Sequence, residues 1–372
     1  MTDPLTSLDH PIESPHSETT RFRDAGGQRF LLVRLGALGD IIHAIPVAAA
    51  LRRAFPAARI DWLVSARHRA ILDLVPVVNR RISVDGGQAA GGMRLLAALG
   101  EVRRSGYDVA IDLQGLLKSA MLARSSGAGR VIGFATSYLR ERLARLFYTD
   151  AYDPGCRGIY DPNETRHVVD MNLLLLKPLG IDVAKPEFPI EDVASAVATG
   201  VFQQTGGRYA LLNPCAQWPN KRWPAARFGR LAAGLRERHG LVSVALWGGQ
   251  GERELAEDIV SHSEGAAILS PPSSIADLVA LTRRASVMVS GDTGPIHVAS
   301  AVGAPVVGIF GPTRPSRNGP WAPRDVTVSR AEVCQCHHLR RCARERMCLL
   351  EIEVEDVLGA VGRRLAAESS RV

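Results

Sequence analysis

Short β-branched apolar runs, each followed by residues of helical spacing, recur along this chain in two successive series. That alternation leaves few folds open, because it is the pattern of βα units building parallel sheets. The first series predicts strands at 30–35, 59–64, 107–113 and 130–134, with a weaker one at 81–84. Its clearest helices are 40–55, which Pro46 should kink, and 116–125, while the Gly-rich stretch 86–92 reads as a loop. The second series predicts strands at 209–213, 242–247, 266–269, 287–290 and 305–310, separated by amphipathic helices at 227–238, 252–263 and 275–285. Between the series, Gly180, Pro186, Pro189, Gly200, Gly206 and Gly207 mark a linker. The expected organisation is α/β: a mobile tail over 1–28, a doubly wound domain over 29–180, a linker over 181–207, a second such domain over 208–352, and a helix and tail over 353–372. Two domains of this kind face each other across a cleft at the C-terminal edges of their strands, where open α/β sheets bind ligands.

At 372 residues, 46% apolar and 22% charged, the chain can bury two sizeable cores. Its longest apolar stretch, 297–311, is interrupted by Gly303 and Pro305, so a membrane-spanning helix is not expected. Residues 1–28 mix acidic, hydroxyl and Pro residues without an apolar stretch, which fits neither a signal peptide nor an anchor. Six Cys without an export signal are expected to be reduced thiols in a cytoplasmic protein. The formal charge of +7 suggests acidic company: nucleic acid, phosphorylated substrates or an anionic membrane surface. Lys occurs only at 118, 177, 185 and 221 among a large excess of Arg. Arg140, Arg142 and Arg145 have helical spacing and can form a solvated face.

Four segments carry candidate chemistry. Arg34-Leu35-Gly36-Ala37-Leu38-Gly39-Asp40 leaves the first strand and opens the first helix, so Asp40 is either a base at a helix N-terminus or simply the helix cap. Ser290-Gly291-Asp292-Thr293-Gly294-Pro295-Ile296-His297 makes a similar junction, where free N–H groups suit a diphosphate. Thr293 can add a hydroxyl there and His297 can face the same site, though the segment could also be an ordinary turn with a core histidine. The loop 213–224 is stiffened by Pro and Trp and presents Lys221 and Arg222, cations able to neutralise a leaving nucleotide, unless it is only a surface loop. Glu252, at the next strand end, can hold ribose hydroxyls or act as a helix N-terminal acid. Finally, Cys334, Cys336, His337, His338, Cys342 and Cys348 cluster, but their spacing fits none of the common C-x2-C zinc pairings and buried thiols are expected.

Taken in order, Gly39-Asp40, Asp112-Leu113-Gln114-Gly115-Leu116-Leu117-Lys118-Ser119-Ala120, Lys221-Arg222-Trp223-Pro224 and Asp292-Thr293-Gly294 resemble the ADP-heptose lipopolysaccharide heptosyltransferase family, glycosyltransferase family 9, from about residue 30 to 357. Residues 114–120, with Arg140 ahead of Leu146-Phe147-Tyr148, are most similar to its heptosyltransferase I branch, which acts on the Kdo residue of Kdo-lipid A. The resemblance implies a GT-B fold, with residues 29–180 binding the acceptor and 208–352 the nucleotide-sugar donor. It further implies Asp40 as general base, and a donor site of Lys221, Glu252, Asp292, Thr293, Gly294 and His297. Lys118 and Arg140 are the acceptor-side candidates. The chain departs from the pattern at Cys215 and Ala216, has no basic loop at 86–92, and ends in a Cys-rich segment more like that of heptosyltransferase II relatives.

The implied reaction is a single inverting displacement, with Asp40 assisting the incoming hydroxyl and Lys221 and the Thr293–Gly294 N–H groups stabilising the departing ADP. It requires neither metal nor cofactor. The expected partners are ADP-heptose and a lipid-linked Kdo or inner-core acceptor, with peripheral contact at the cytoplasmic face of the inner membrane and no nucleic acid. Competing readings are a different core-sugar or protein acceptor, a nucleotide-sugar epimerase, and a binding protein without turnover.

Overall fold

The computed structural model describes residues 27–84, 89–155, 158–159, 161, 164–334, 339, 342 and 344–369. It contains two six-stranded sheets in which every paired strand is parallel. The first is built from β1 (Arg29–Val33), β2 (Arg59–Val64), β3 (Arg80–Ser83), β4 (Val109–Asp112), β5 (Arg130–Phe134) and β6 (Asp150–Tyr152) in the order β3-β2-β1-β4-β5-β6. The second uses β7 (Tyr209–Asn213), β8 (Val242–Ala245), β9 (Ala267–Leu269), β10 (Val287–Gly291), β11 (Val306–Phe310) and β12 (Val326–Ser329) in the order β12-β11-β10-β7-β8-β9. Both orders reverse direction after the first strand of the series, β1 or β7, and that reversal opens the ligand crevice of a doubly wound sheet. Together they are the two Rossmann-like halves of a GT-B fold.

The central strands β1, β7, β10 and β11 are apolar and almost wholly buried, as strands covered by helices on both faces must be. Two edge strands escape the sequence pattern. Asp150–Tyr152 spans three half-buried residues and Val326–Ser329 only four, too short and too polar to read as apolar runs.

Helices depart from expectation where backbone chemistry intervenes. Pro46 separates two helices, Leu38–Ile42 and Ile45–Ala54, instead of kinking one. It occupies the first turn of the second, where its missing N–H leaves no bond unmade. Of the stretch expected as a Gly-rich loop, residues 85–88 lie outside those described, and helix Ala89–Arg104 already includes Gly91 and Gly92. Ala98 and Val102, buried one turn apart, place one face of that helix in the apolar core. The stretch between the series carries helix Ala196–Gln204, capped by Ser195 and packed on helix Ile275–Arg284. Arg142 and Arg145 fall on the 3-10 segment Arg142–Phe147, and Arg140 precedes it. The last helix, Val354–Ser369, packs on Ala225–His239 and on β11 and β12, with Arg364 and Asp325 forming a buried ion pair at 3.0 Å.

The two halves touch at their cores. One apolar cluster passes from β1 through Ile41 to Ile296 and Val298, joining the first helices of the two candidate site segments.

Candidate functional site

Asp40 stands on the loop and short helix that follow β1. One oxygen pairs with Arg34 Nη2 at 2.8 Å and the other accepts the Ala37 N–H at 3.0 Å. Asp40 is the third residue of helix Leu38–Ile42 and not its cap. Its side chain is 42% exposed whereas that of Arg34 is 12% exposed, so the carboxylate faces solvent with the guanidinium behind it. Arg34 Nη1 in turn donates to the Leu113 carbonyl, and the Leu35 N–H donates to Gln114 Oε1 at 2.8 Å. The 112–120 motif therefore braces the Asp40 loop. Asp112 anchors that brace, accepting from Tyr148 Oη at 2.7 Å, Ser119 Oγ at 2.9 Å and the Gln114 N–H at 2.9 Å. Burial pushes the Asp112 pKa up, against the pull of those hydrogen bonds.

The facing group is built where β7 and β10 end side by side. Asn213 Nδ2 donates to Ser290 Oγ and to Thr293 Oγ1, each at 2.9 Å, fixing the hydroxyl of the residue that precedes helix Gly294–Ala301. Pro295 removes one N–H from that helix end, leaving those of Gly294 and Ile296 in the first turn. Lys221 Nζ lies 2.5 Å from Asp292 Oδ2 and 4.7 Å from the Trp218 ring centroid. His297 Nε2 is 3.3 Å from the other Asp292 oxygen. Burial would raise the Asp292 pKa, but the His297 hydrogen bond and the Lys221 charge outweigh it and hold the carboxyl well below its usual range. A lysine has three donors, and Asp292 accounts for one.

Glu252 is exposed and its Oε2 accepts the Gly248 N–H at 2.9 Å, near the start of helix Gln250–Ser261. Arg222 turns back onto its own loop, with Nε 2.7 Å from the Ala216 carbonyl. Cys215 is buried and its thiol is pushed up to about 12, first by burial and then by the Glu252 charge, which makes it inert.

The two groups are brought together by a contact between backbone and ring. A Cβ placed on Gly39 would stand 2.4 Å from His297 Cδ2, and one on Gly294 would stand 2.8 Å from a Leu38 methyl. His43, one turn after Asp40, places Nε2 3.1 Å from His297 Nδ1. Its own carbonyl accepts from Asn172 Nδ2 at 3.0 Å, and its ring meets His167 edge-on at 5.4 Å. Burial, and then the neighbouring His297 and His167, push the His43 pKa well down, so the imidazole is neutral. A neutral His43 donating to His297 Nδ1 leaves His297 Nε2 to donate to Asp292.

Lys118 and Arg140 are exposed, and their segments are tied where the Leu117 N–H donates to Glu141 Oε2 at 2.6 Å. Among the described residues neither bonds to the Asp40 or Asp292 groups. Sequence reasoning passed over Arg34 and His43 as individual residues. The signal for both was position: Arg34 lies in the loop that presents Asp40, and His43 lies on the same helical face three residues on.

Cys334 and Cys348 are buried together with Cys342 packed against them, while Cys336, His337 and His338 lie outside the described residues. Among the described residues no group of three or more His, Cys, Asp or Glu is arranged to hold a metal ion, and no helix is long and apolar enough to cross a membrane.

Comparison with known proteins places the chain in a family. Residues 95–347, more than half of the chain, match the family model for glycosyltransferase family 9 (heptosyltransferase). The chain is 33% identical over 313 residues to lipopolysaccharide heptosyltransferase 1 of Pseudomonas aeruginosa, covering 82% of this chain and 85% of that protein. To lipopolysaccharide heptosyltransferase 1 of Salmonella typhimurium it is 28% identical over 299 residues, covering 78% and 90% of the two. In fold it is similar to the E. coli heptosyltransferase WaaC solved with ADP, with a TM-score of 0.72, 23% identity, and coverage of 91% of this chain and 100% of that one. The chain is a glycosyltransferase and belongs to glycosyltransferase family 9, the heptosyltransferases.

Proposed function

We propose that this enzyme transfers heptose from ADP-heptose to the lipopolysaccharide inner core, with inversion at the anomeric carbon, and that its acceptor is the Kdo residue of a lipid-linked core. One observation carries the reading. The Asp40 loop and the Asp292–His297 segment pack directly on each other through Gly39 and His297, so a carboxylate and a phosphate cradle border one crevice.

Asp40 acts as the base. With one oxygen held by Arg34 and the other by the Ala37 N–H, the carboxylate has a fixed orientation and remains open to an incoming hydroxyl. Lys221, the Thr293 hydroxyl and the Gly294 N–H stabilise the charge that builds on the departing diphosphate. His297 and Asp292 hold Lys221 in place, and Glu252 binds the nucleoside ribose. Fixed cations and N–H dipoles perform the neutralisation without a metal. A mutual stabilisation of this kind acts only as charge moves, so it lowers the barrier more than it tightens ground-state binding.

A lipid-linked acceptor brings the enzyme to the inner face of the membrane. Leu143, Leu146 and Met121 are exposed apolar side chains on neighbouring segments, interspersed with exposed Arg124, Arg140 and Arg142. Apolar groups among arginines suit an interface rich in anionic lipid. Lys118 and Arg140 border this patch and contact the acceptor head group.

The test is to incubate the enzyme with ADP-heptose and, separately, Kdo-lipid A and a core that already carries heptose, reading products by mass. Heptose added to Kdo-lipid A alone supports the full reading. Transfer only to the heptosylated core keeps the donor and moves the acceptor, and consumption of ADP-heptose without acceptor sinks the transferase mechanism.

A further inference from the structure

One buried side chain of the first half reaches the phosphate cradle of the second. His43 ends helix Leu38–Ile42, three residues after Asp40. It is tied to its own half at the backbone, where its N–H donates to the Gly39 carbonyl at 3.0 Å and its carbonyl accepts from Asn172 Nδ2 at 3.0 Å. Its ring crosses the junction and sets Nε2 3.1 Å from His297 Nδ1. From there the line runs through His297 Nε2 to Asp292 Oδ1 at 3.3 Å, and from Asp292 Oδ2 to Lys221 Nζ at 2.5 Å.

What each atom can do dictates where the protons on this line lie. An ionised Asp292 only accepts, so His297 Nε2 carries a hydrogen; with both rings neutral, His297 Nδ1 is then an acceptor and His43 Nε2 donates to it. The other His297 tautomer would set a ring lone pair against a carboxylate oxygen. A second proton on His297 is obstructed as well, because His43 would have to move its own hydrogen to Nδ1, which is buried with no hydrogen-bond partner among the described residues. A stranded N–H there carries the full desolvation penalty of an unmade hydrogen bond. His167, edge-on to the His43 ring, does not relieve it. Its Nδ1 accepts the Val169 N–H at 3.1 Å, and its Nε2 therefore donates to the Gly319 carbonyl at 2.9 Å.

We propose that His43 is a positioning residue for glycosyl transfer: its bond to His297 Nδ1 fixes the ring that occupies one Asp292 oxygen, so that Asp292 engages Lys221 through the other oxygen alone and two ammonium hydrogens remain for the departing diphosphate. The inference rests on the glycosyl-transfer reading above and deepens it, since the steadying of the leaving-group lysine then depends on the half of the chain that carries Asp40. Asp292 is 8% exposed and Lys221 15% exposed. An Asp292 oxygen released by His297 has little water to turn to and would take a second hydrogen of Lys221 instead. A lysine gripped by both carboxylate oxygens has less to offer a phosphate. His43 acts through His297 and Asp292, and not on the substrate.

The test uses the full chain with His43→Leu, which fills the site without a donor, and His43→Gln, whose amide restores one. With ADP-heptose and Kdo-lipid A, below the Tm of each variant, His43→Leu should lower kcat about 10- to 100-fold with little change in ADP affinity by calorimetry. His43→Gln should recover part of that loss. In a Lys221→Met background His43→Leu should cost nothing further, because the group it steadies is gone. A histidine ring-15N label adds a readout that needs no acceptor: in the unmodified protein the His297 signal, assigned by its absence in His297→Gln, should show a protonated Nε2 and a bare Nδ1. The label decides even where His43→Leu does not fold. A proton on His297 Nδ1, an unchanged kcat in His43→Leu, a His43→Gln no better than His43→Leu, or an equal loss in the Lys221→Met background would each overturn the proposal. If the unmodified enzyme transfers heptose to no acceptor, the glycosyl-transfer reading fails first and this inference with it; transfer that is indifferent to His43 refutes the positioning role alone.

Discussion

His43 and His297, separated by 254 positions in sequence, share a buried hydrogen bond of 3.1 Å across the junction of the two halves. The bond links the helix that carries Asp40 to the segment that carries Asp292, and through Asp292 to Lys221. The helix of Asp40 and the Lys221 ammonium are thus tied by one chain of side chains, and that chain depends on His43 remaining neutral.

That dependence predicts how stability responds to acid. Burial lowers the folded-state pKa of His43, and that of His167 to about 4, whereas an unfolded histidine titrates near 6.5. Between those values the unfolded chain binds more protons than the folded one, so stability falls as pH drops through roughly 6.5 and the loss levels off only near 4. Each such histidine contributes a slope of up to about 1.4 kcal/mol per pH unit. Urea unfolding at pH 7.5 and pH 5 should show the loss, and His43→Gln should flatten the profile. Identical slopes in the two proteins would show that His43 titrates normally.

Gly39→Ala tests the contact itself. The new methyl would meet His297 Cδ2 at 2.4 Å, and the ring cannot swing aside without breaking its bonds to His43 and Asp292. Overpacking of this kind costs about 1–3 kcal/mol, and the same displacement should weaken ADP binding. As a control, Gly362 lies within helix Val354–Ser369, and a methyl added there would have nothing within 4 Å, so Gly362→Ala should stabilise by roughly 0.4–1 kcal/mol. Calorimetric Tm values that move the same way for both variants would contradict the packing described.

For Asp40→Ala the expected signature is a kcat lower by about 100- to 10,000-fold with little change in ADP affinity. Stopped assays of ADP release, paired with ADP titration, separate those quantities. A variant that binds ADP poorly and turns over normally when saturated would remove Asp40 from proton transfer.

Arg364 makes a purely structural prediction. It is 4% exposed and pairs with Asp325, which is 1% exposed and also accepts the Val306 N–H at 3.0 Å. Burial raises the Asp325 pKa against the pull of Arg364. Arg364→Ala would strand that carboxyl and should cost about 3–5 kcal/mol. Replacing both partners, Asp325→Asn with Arg364→Met, should cost less than the single change, and a strictly additive double-mutant cycle would argue against the pair.

The strands of both central sheets were legible because parallel strands covered on both faces must be apolar throughout, as Tyr209–Asn213 and Val306–Phe310 are. Asp150–Tyr152 and Val326–Ser329 were not, since an edge strand needs only one neighbour and tolerates polar residues. In the candidate site, Asp40, Lys221, Asp292 and Thr293 could be picked out because each sits in a strand-end segment rich in glycine or proline.

By itself, then, the order of residues determined two βα series, the loops at which each series presents chemistry, and the residue types offered there, because periodicity and turn chemistry are local properties. Which of those residues meet was decided only in three dimensions. Gly39 against His297 and His43 bonded to His297 join positions far apart in the chain, and long-range packing of one half on the other leaves no periodic trace in either.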